Sequence, residues 1–349
     1  MAAGPEPLAA ARPPWRGPLV RTAVVLVLLL LAGLIPLLGP DWALEGTGED
    51  PAPGTAGIGL LRTVLFAALA VQFGEVFGEL LARRVPAPPA VGPPRPWSGY
   101  AALAGTVAAL GLASVVATGN LMPTSPADMD IGGLYQTRDG ALALVEVNAF
   151  IAAGLLHRAR RLTVRVLPLA AVVVAEALRA HPVTEQQPLV GTGLTLVHLT
   201  CASLWVGGLV YAVRVGWQWR ATAPAAGAAL LAEYARVAAG CLVGVTATGL
   251  VSTLRRMPPD TLLDQLRTTA YGRVLFAKVL LMVVVAVLAL VARQRLRRVA
   301  RRRRRARPGD PLAAFAPARA EVAVLGLVVA VSALLTAVPV PIRWGSLWW

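Results

Sequence analysis

The residues of this sequence best suited to chemistry are few, and they lie inside apolar stretches. His198 and Cys201 stand three residues apart in the segment VHLTCASLWVGGLVYAV, in a chain with only three histidines and two cysteines. Because helix positions i, i+3 and i+7 share a face, His198, Cys201 and Trp205 are expected to form one stripe. From these residues alone, His198 is a metal ligand, a haem ligand or a polar group that ties two helices together.

The side chains that accompany His198 favour copper among metals. His181 lies in the short loop before the His198 segment, and such a loop makes the flanking helices antiparallel neighbours, so the two imidazoles are expected to approach. Imidazole suits copper and zinc, whereas thiol and thioether groups suit cuprous ion. We therefore predict a copper site formed from His181, His198, Cys201 and Met257. His157 stands among arginines in HRARR, where charge repulsion disfavours a bound cation.

Lys278 is the only lysine of the chain, and it stands within an apolar segment. Tyr271, seven residues earlier, falls on the same helical face, so the amine is expected to point into the protein. An intramembrane charge is costly and normally pairs with another group or serves transport. Judged by depth, Glu146 and Glu176 are the expected carboxylate partners of Lys278.

Small residues predict close packing between helices. Gly207 and Gly208 follow Trp205 and remove side-chain bulk, so a neighbouring backbone can approach. Thr246 and Gly249, in the segment VTATGLVST, form a second small-residue stripe of the same kind. We predict that all five residues serve helix packing.

Composition places these residues in a membrane. The 349 residues are 56% hydrophobic, with a mean hydropathy of +0.65, and several apolar stretches approach the ~20 residues that cross a bilayer. The sequence therefore predicts an all-α, polytopic transmembrane helix bundle with about nine spans, the first of them retained rather than cleaved. These spans are 19–38, 57–81, 98–119, 140–156, 164–181, 190–213, 228–254, 271–292 and 320–341.

Charge predicts the orientation of these spans. With the N-terminus in the cytoplasm and the C-terminus outside, most of the arginines fall on the cytoplasmic side, as the positive-inside rule requires. The run from Arg293 to Arg307 is then expected to contact anionic lipid headgroups rather than nucleic acid. The sequence contains no hydrolytic or phosphate-binding motif, so we predict that the protein is not an enzyme.

The chain divides into two predicted regions. Residues 1–160 form an accessory N-terminal region of about four spans with Pro-rich loops, and residues 161–349 contain most of the chemistry-bearing positions in about five spans. Over residues 165–341 the chain resembles the copper resistance D family of inner-membrane proteins. The segments that carry the resemblance are LVHLTCASLWVGGLVYAV, VGVTATGLVSTLRR, TTAYGRVLFAKVLLMVVVAVLALVARQRL and AEVAVLGLVVAVSALLTAVP.

The resemblance implies a bacterial plasma-membrane protein of copper uptake or homeostasis that accepts copper at its outer face, in exchange with an extracytoplasmic copper-carrier protein. The positions to which it assigns family roles are His181, His198, Trp205, Gly207, Gly208, Tyr271, Gly272 and Lys278. Two alternatives stay open on the sequence. One is a haem- or redox-associated membrane protein, and the other is an assembly factor that donates copper to a respiratory oxidase.

Overall fold

The computed structural model describes residues 18–86, 94–185, 187–304 and 314–340, and every regular element within these ranges is helical. Of the predicted headgroup-binding run, residues 305–307 lie outside the described residues. A single 3-10 turn at Pro126–Asp128 accompanies the α-helices. The helices are α1 (Pro18–Leu44), α2 (Thr55–Ala82), α3 (Ser98–Ala117), α4 (Ile131–Gln136), α5 (Arg138–Leu156), α6 (Leu162–Arg179), α7 (Pro188–Gln218), α8 (Pro224–Arg256), α9 (Leu262–Thr268), α10 (Ala270–Arg304) and α11 (Phe315–Ala337).

Each of the nine predicted spans overlaps a helix, and the spans 98–119, 164–181 and 320–341 extend past the ends of theirs. Seven of the described helices are long and apolar enough to cross a membrane. Those seven are α2, α3, α5, α7, α8, α10 and α11. Helix α6 differs because it carries Arg165, Glu176 and Arg179. Within α1, the stretch Leu30–Leu44 is a shorter apolar helix. The architecture is thus a multi-pass helical bundle, while the count of nine stays a prediction.

Helices α2 and α7 form the seam that joins the two predicted regions. Helix α7 packs against α2, α6, α8 and α11, and α5 packs between α3 and α6. The two predicted regions are therefore joined over a long seam between α2 and α7, and the boundary near residue 160 stays a prediction. Glycines make this seam tight, because a Cβ placed on Gly207 would lie 1.7 Å from the carbonyl oxygen of Ala70.

The α2 side of the seam has its own small residues, which the sequence interpretation did not single out. A Cβ on Gly74 would lie 2.1 Å from the backbone of Gly207, and a Cβ on Gly78 would lie 2.2 Å from the Tyr211 ring. Gly74 and Gly78 are four residues apart, which is the spacing typical of close membrane helix pairs. That spacing was the available signal for this contact.

The helices alternate in direction, so the bundle has two ends. We call one the His181 end; it contains the starts of α2, α5, α7 and α10 together with the short helices α4 and α9. The opposite end, the arginine end, contains the starts of α3, α6, α8 and α11. Contacts between segments that are distant in sequence join residues of the same end. Ala270 donates its N–H to Glu49 at the His181 end, and Arg165 binds Glu79 at the arginine end.

Candidate functional site

His198 faces α8, and its hydrogen bonds define its tautomer. Its Nδ1 atom lies 2.9 Å from Thr248 Oγ1. The Thr248 hydroxyl uses its own hydrogen in a 2.6 Å bond to the carbonyl of Gly244, so Nδ1–H donates to Thr248. The backbone carbonyl of Val245 is a further hydrogen-bonding neighbour of the ring on α8. In the neutral imidazole Nε2 then carries the lone pair, and among the described residues no side chain is hydrogen-bonded to Nε2. An imidazole oriented through one nitrogen with the other available is the usual arrangement of a metal-binding histidine.

The other cysteine of the chain lies beside the predicted ligand Cys201. The thiols of Cys201 on α7 and Cys241 on α8 interact, and neither is in a disulfide. Gly244 leaves the space for this pair, since a Cβ there would lie 2.9 Å from Cys201 Sγ. The sequence interpretation did not assign Cys241 a role. The available signal was that both cysteines stand near the middle of apolar segments.

The α7 stripe continues toward the arginine end as packing. Tyr234 Oη donates to the carbonyl of Trp205 at 2.7 Å, and the Tyr234 ring lies against Gly208. Trp205 is buried and donates its indole N–H to Glu321 on α11 at 3.3 Å. His198 and Cys201 therefore face α8, whereas the Trp205 indole reaches α11. The contacts of Tyr234 with Trp205 and Gly208 fix the distance between α7 and α8 below the two thiols.

One predicted packing residue lies on a different face from the one expected. Thr246 is exposed on the outside of the bundle, whereas Thr248, two residues later, is buried against α7. The helical period explains the difference, because Cys241, Val245 and Thr248 follow the buried face and a shift of two residues turns a side chain away from it. Gly249 does lie under the imidazole, since a Cβ there would be 3.7 Å from His198 Cε1.

His181 is buried at the start of α7, and both of its nitrogens are engaged. Nδ1–H donates to Glu185 Oε2 at 2.6 Å, and Nε2 lies 2.9 Å from Thr195 Oγ1. The ring rests on Gly191, where a Cβ would lie 2.3 Å from Nδ1. Thr195 precedes His198 by one helical turn, so His181 contacts α7 one turn closer to the end of the bundle than His198. A ligand at Nε2 would have to displace the Thr195 hydroxyl.

The structure does not bring Met257 to the histidines. Met257 is fully buried in an apolar cluster with Ala43, Tyr271 and Leu335, where its side chain packs among hydrocarbon groups. Among the described residues, no set of three or more His, Cys, Asp or Glu side chains is arranged to hold a metal ion. The donors near His198 that suit copper are therefore the two thiols.

Lys278 is not paired with the carboxylates expected for it. Its charge acts on His198, and the charge of Arg256 acts on Lys278. Arg256 also donates to Tyr271 Oη at 3.1 Å. In the described ranges no acidic side chain lies within ion-pair distance of Lys278. Lys278 and Arg256 instead form a cationic group of α10 and α8 whose charge acts on His198.

Glu146 and Glu176 form a separate centre between α5 and α6. Glu146 is fully buried and accepts a 2.7 Å bond from Arg179. Glu176 precedes Arg179 by three residues, so both lie on the face of α6 that meets α5. The expectation that one of them neutralises Lys278 fails because α6 supplies its own arginine at the same depth.

Comparison with known proteins adds one match. No curated protein and no solved structure is found to match the chain, whereas the family model described as copper resistance protein D matches residues 228–335. The matched range includes Cys241, Thr248, Tyr271 and Lys278, while His198 lies on the helix that precedes it. The segment from α8 to α11 of this multi-pass membrane protein therefore matches the copper resistance protein D family.

Proposed function

We propose that this protein is an integral plasma-membrane protein of bacterial copper uptake or homeostasis, and that copper passes along the α7–α8 interface. The observation that carries the proposal is the state of His198, whose Nδ1–H is held by Thr248 and whose Nε2 is available. The match of residues 228–335 to copper resistance protein D supports the choice of copper. Copper is the transported ion in this proposal, and each station is a transient copper-binding site formed by protein residues along the path.

Cys201 and Cys241 provide the next station after His198. They lie one turn further into the bundle on α7 and on the facing helix, and thiols select cuprous ion. Two-ligand stations suit a conduction path because binding must be weak enough for the ion to leave. His181, at the end of the bundle, would receive the ion first by exchanging its Thr195 hydrogen bond for a metal bond.

Lys278 favours cuprous over cupric ion at His198. Coulomb repulsion from its ammonium group is twice as large for a doubly charged ion as for a singly charged ion at the same distance. The charge of Arg256 adds to this effect, and no carboxylate is paired with Lys278 among the described residues to cancel it. The proposed cargo is therefore Cu⁺.

In the proposed orientation the His181 end faces the outside of the cell. The arginine-rich connections then lie in the cytoplasm, in accordance with the positive-inside rule. An extracytoplasmic copper-carrier protein would deliver the ion near His181. The arginine end would meet the anionic headgroups of the inner leaflet.

The test is an anaerobic Cu⁺ titration of the purified full-length protein in competition with a chromophoric chelator. We expect His198→Ala and Cys241→Ser each to weaken binding at least tenfold. The matched control is His157→Ala, because His157 lies at the arginine end, where its Nδ1–H donates to the carbonyl of Gly154. Copper accumulation in cells that produce each variant at equal abundance provides the second measurement.

Two results would overturn the proposal. One is unchanged Cu⁺ affinity and unchanged cellular copper in a well-produced His198→Ala variant. The other is a Soret band in the absorption spectrum of the purified protein that disappears in the same variant, since His198 would then be a haem ligand.

A further inference from the structure

A second polar centre lies in helices outside the copper path, between α5 and α6. Glu146 has no solvent exposure and Glu176 is 6% exposed. Arg179 occupies one oxygen of Glu146 with a 2.7 Å hydrogen bond. Within the described ranges, the Oε1 atoms of both Glu146 and Glu176 are buried without any hydrogen-bond partner. Two unsatisfied acceptors in a dry interior are expensive, because each loses its water without compensation.

The surroundings supply few charges to this centre. Those that act on Glu146 are Glu176 and Arg179 from α6 and Arg62 from α2. Arg62 donates to the carbonyl of Thr336 on α11 rather than to either carboxylate. The sequence of α3, which packs on α5, has no acidic or basic residue, and the tyrosines of α3 and α4 are exposed. At this depth α7 contributes His198, which is bound to Thr248 on the far side of α7.

We propose that Glu146 and Glu176 hold one proton between them, so that the pair is a proton-binding site within the bundle. A single O–H···O bond between their Oε1 atoms supplies the missing donor to one carboxyl group and the missing acceptor to the other. The remaining single negative charge is balanced by Arg179, which keeps its bond to Glu146. Two carboxylates in one buried site do not both ionise readily, because like charges repel and both lose hydration.

This arrangement gives a function to helices that the copper resistance match does not cover. A shared proton in a buried pair can leave when a cation approaches or when the site opens to water. Intramembrane carboxyl groups of this kind serve as proton relays in transporters. The inference does not depend on copper, and its test contains none.

The test is infrared spectroscopy of the purified full-length protein in H₂O and D₂O, which detects the C=O stretch of a protonated carboxyl group. We expect Glu146→Gln and Glu176→Gln each to remove the same band, with the amplitude of one whole carboxyl group, because the remaining carboxylate ionises beside Arg179. The double variant removes no more than either single variant. Glu79→Gln is the matched control, since Glu79 is a membrane-helix glutamate held by both nitrogens of Arg165 at 2.6 and 3.1 Å.

Each outcome decides the proposal. Identical loss in the two single variants supports one shared proton. Loss of separate bands that add up in the double variant would mean two independently protonated acids, and an unchanged spectrum in both would mean two ionised carboxylates; either result overturns it. Circular dichroism checks that each variant is folded. If one variant does not fold, the other is compared with wild type across a pH titration, where a single-carboxyl step is required.

Discussion

Each half of the bundle contains a buried glutamate, and the two differ in the number of hydrogen bonds that they accept. At the arginine end, Glu75 accepts hydrogen bonds on both oxygens, from the Trp97 N–H at 2.8 Å, from Ser98 Oγ at 2.8 Å and from Arg214 at 2.6 Å. In the half nearer the His181 end, Glu146 has an arginine at 2.7 Å on one oxygen only. The burial is similar, so the difference lies in the number of donors.

The difference separates structural polar groups from those available to a ligand. A carboxylate with every oxygen bonded is held as an anion, and Arg214 is held in turn by the carbonyl of Arg95 and by the Trp97 ring, whose centroid lies 3.7 Å away. In the described part of the other half, the buried carboxylate oxygens without a hydrogen-bond partner are Oε1 of Glu146 and Oε1 of Glu176. The half-buried His198 makes its hydrogen bond through Nδ1. Atoms without partners in a buried site mark the places where protons or metal ions can bind.

The largest expected effect comes from breaking the seam that positions Glu75 against Arg214. Gly207→Ala should prevent folding, because the new Cβ would lie 1.7 Å from the carbonyl oxygen of Ala70 and α2 would have to move away. Gly193→Ala is the control on the same helix, where no atom lies within 4 Å of the new Cβ. It should be neutral or stabilise by up to about 1 kcal/mol. The yield of monodisperse protein in detergent provides the measurement, and equal yields of the two variants would contradict the proposed role of the seam.

The next largest effect is expected when Glu75 and Glu146 are each replaced by glutamine, which compares the two carboxylates directly. Glu75→Gln should lower the free energy of unfolding by about 3–5 kcal/mol, because Arg214 loses its buried counter-charge. Glu146→Gln should cost less than about 1 kcal/mol, because a pair that shares one proton carries one negative charge both before and after the substitution. Reversible unfolding in mixed micelles measures both values. Equal losses of unfolding free energy would contradict the view that only the fully hydrogen-bonded Glu75 is a structural anion.

The helices could be predicted from the sequence, because hydrophobic length is a strong local signal. Each of the nine predicted segments overlaps a helix, and α5, predicted as 140–156, runs from Arg138 to Leu156. The number of membrane spans does not follow in the same way, because α6 carries three charged residues, one of which, Glu176, belongs to the proposed proton-binding pair. Hydropathy cannot distinguish a span with a buried polar centre from a helix that does not cross.

The partners of the polar groups could not be predicted, because they depend on which helix faces lie opposite each other. The stripe of His198, Cys201 and Trp205 follows from the helical period alone. Its partners Thr248 and Cys241 require the rotation of α8, which is set by the fit of Tyr234 against Gly208. The sequence predicted a helix-packing role for Thr246 and no role for Thr248; in the structure Thr246 is exposed and Thr248 is buried against α7.

Thr248→Val tests whether a hydrogen bond to Nδ1 prepares His198 for copper. Valine keeps the shape of threonine but cannot accept the Nδ1–H bond, so the tautomer and ring orientation are no longer fixed. Loss of such a supporting bond typically lowers metal affinity 10- to 100-fold, and we expect that loss for Cu⁺. Thr246→Val is the matched control, since Thr246 is exposed two residues earlier on the same helix. Equal Cu⁺ affinity in the two variants would remove the support that Thr248 gives to the ligand role.

The smallest effect is expected for Glu185→Gln, which tests whether His181 is an entry station or a structural group. Glu185 is 31% exposed in its side chain and lies 3.5 Å from Arg255, so losing this weak pair should cost about 0–1 kcal/mol. Its 2.6 Å bond to His181 Nδ1 nevertheless orients the imidazole. If His181 only receives the ion, the variant slows copper uptake but leaves the equilibrium Cu⁺ affinity unchanged, because the tighter donors lie deeper.

Glu233→Gln, which breaks the exposed pair with Arg236 at the arginine end, should change neither quantity. A fall in affinity for Glu185→Gln would instead place His181 in the same site as His198.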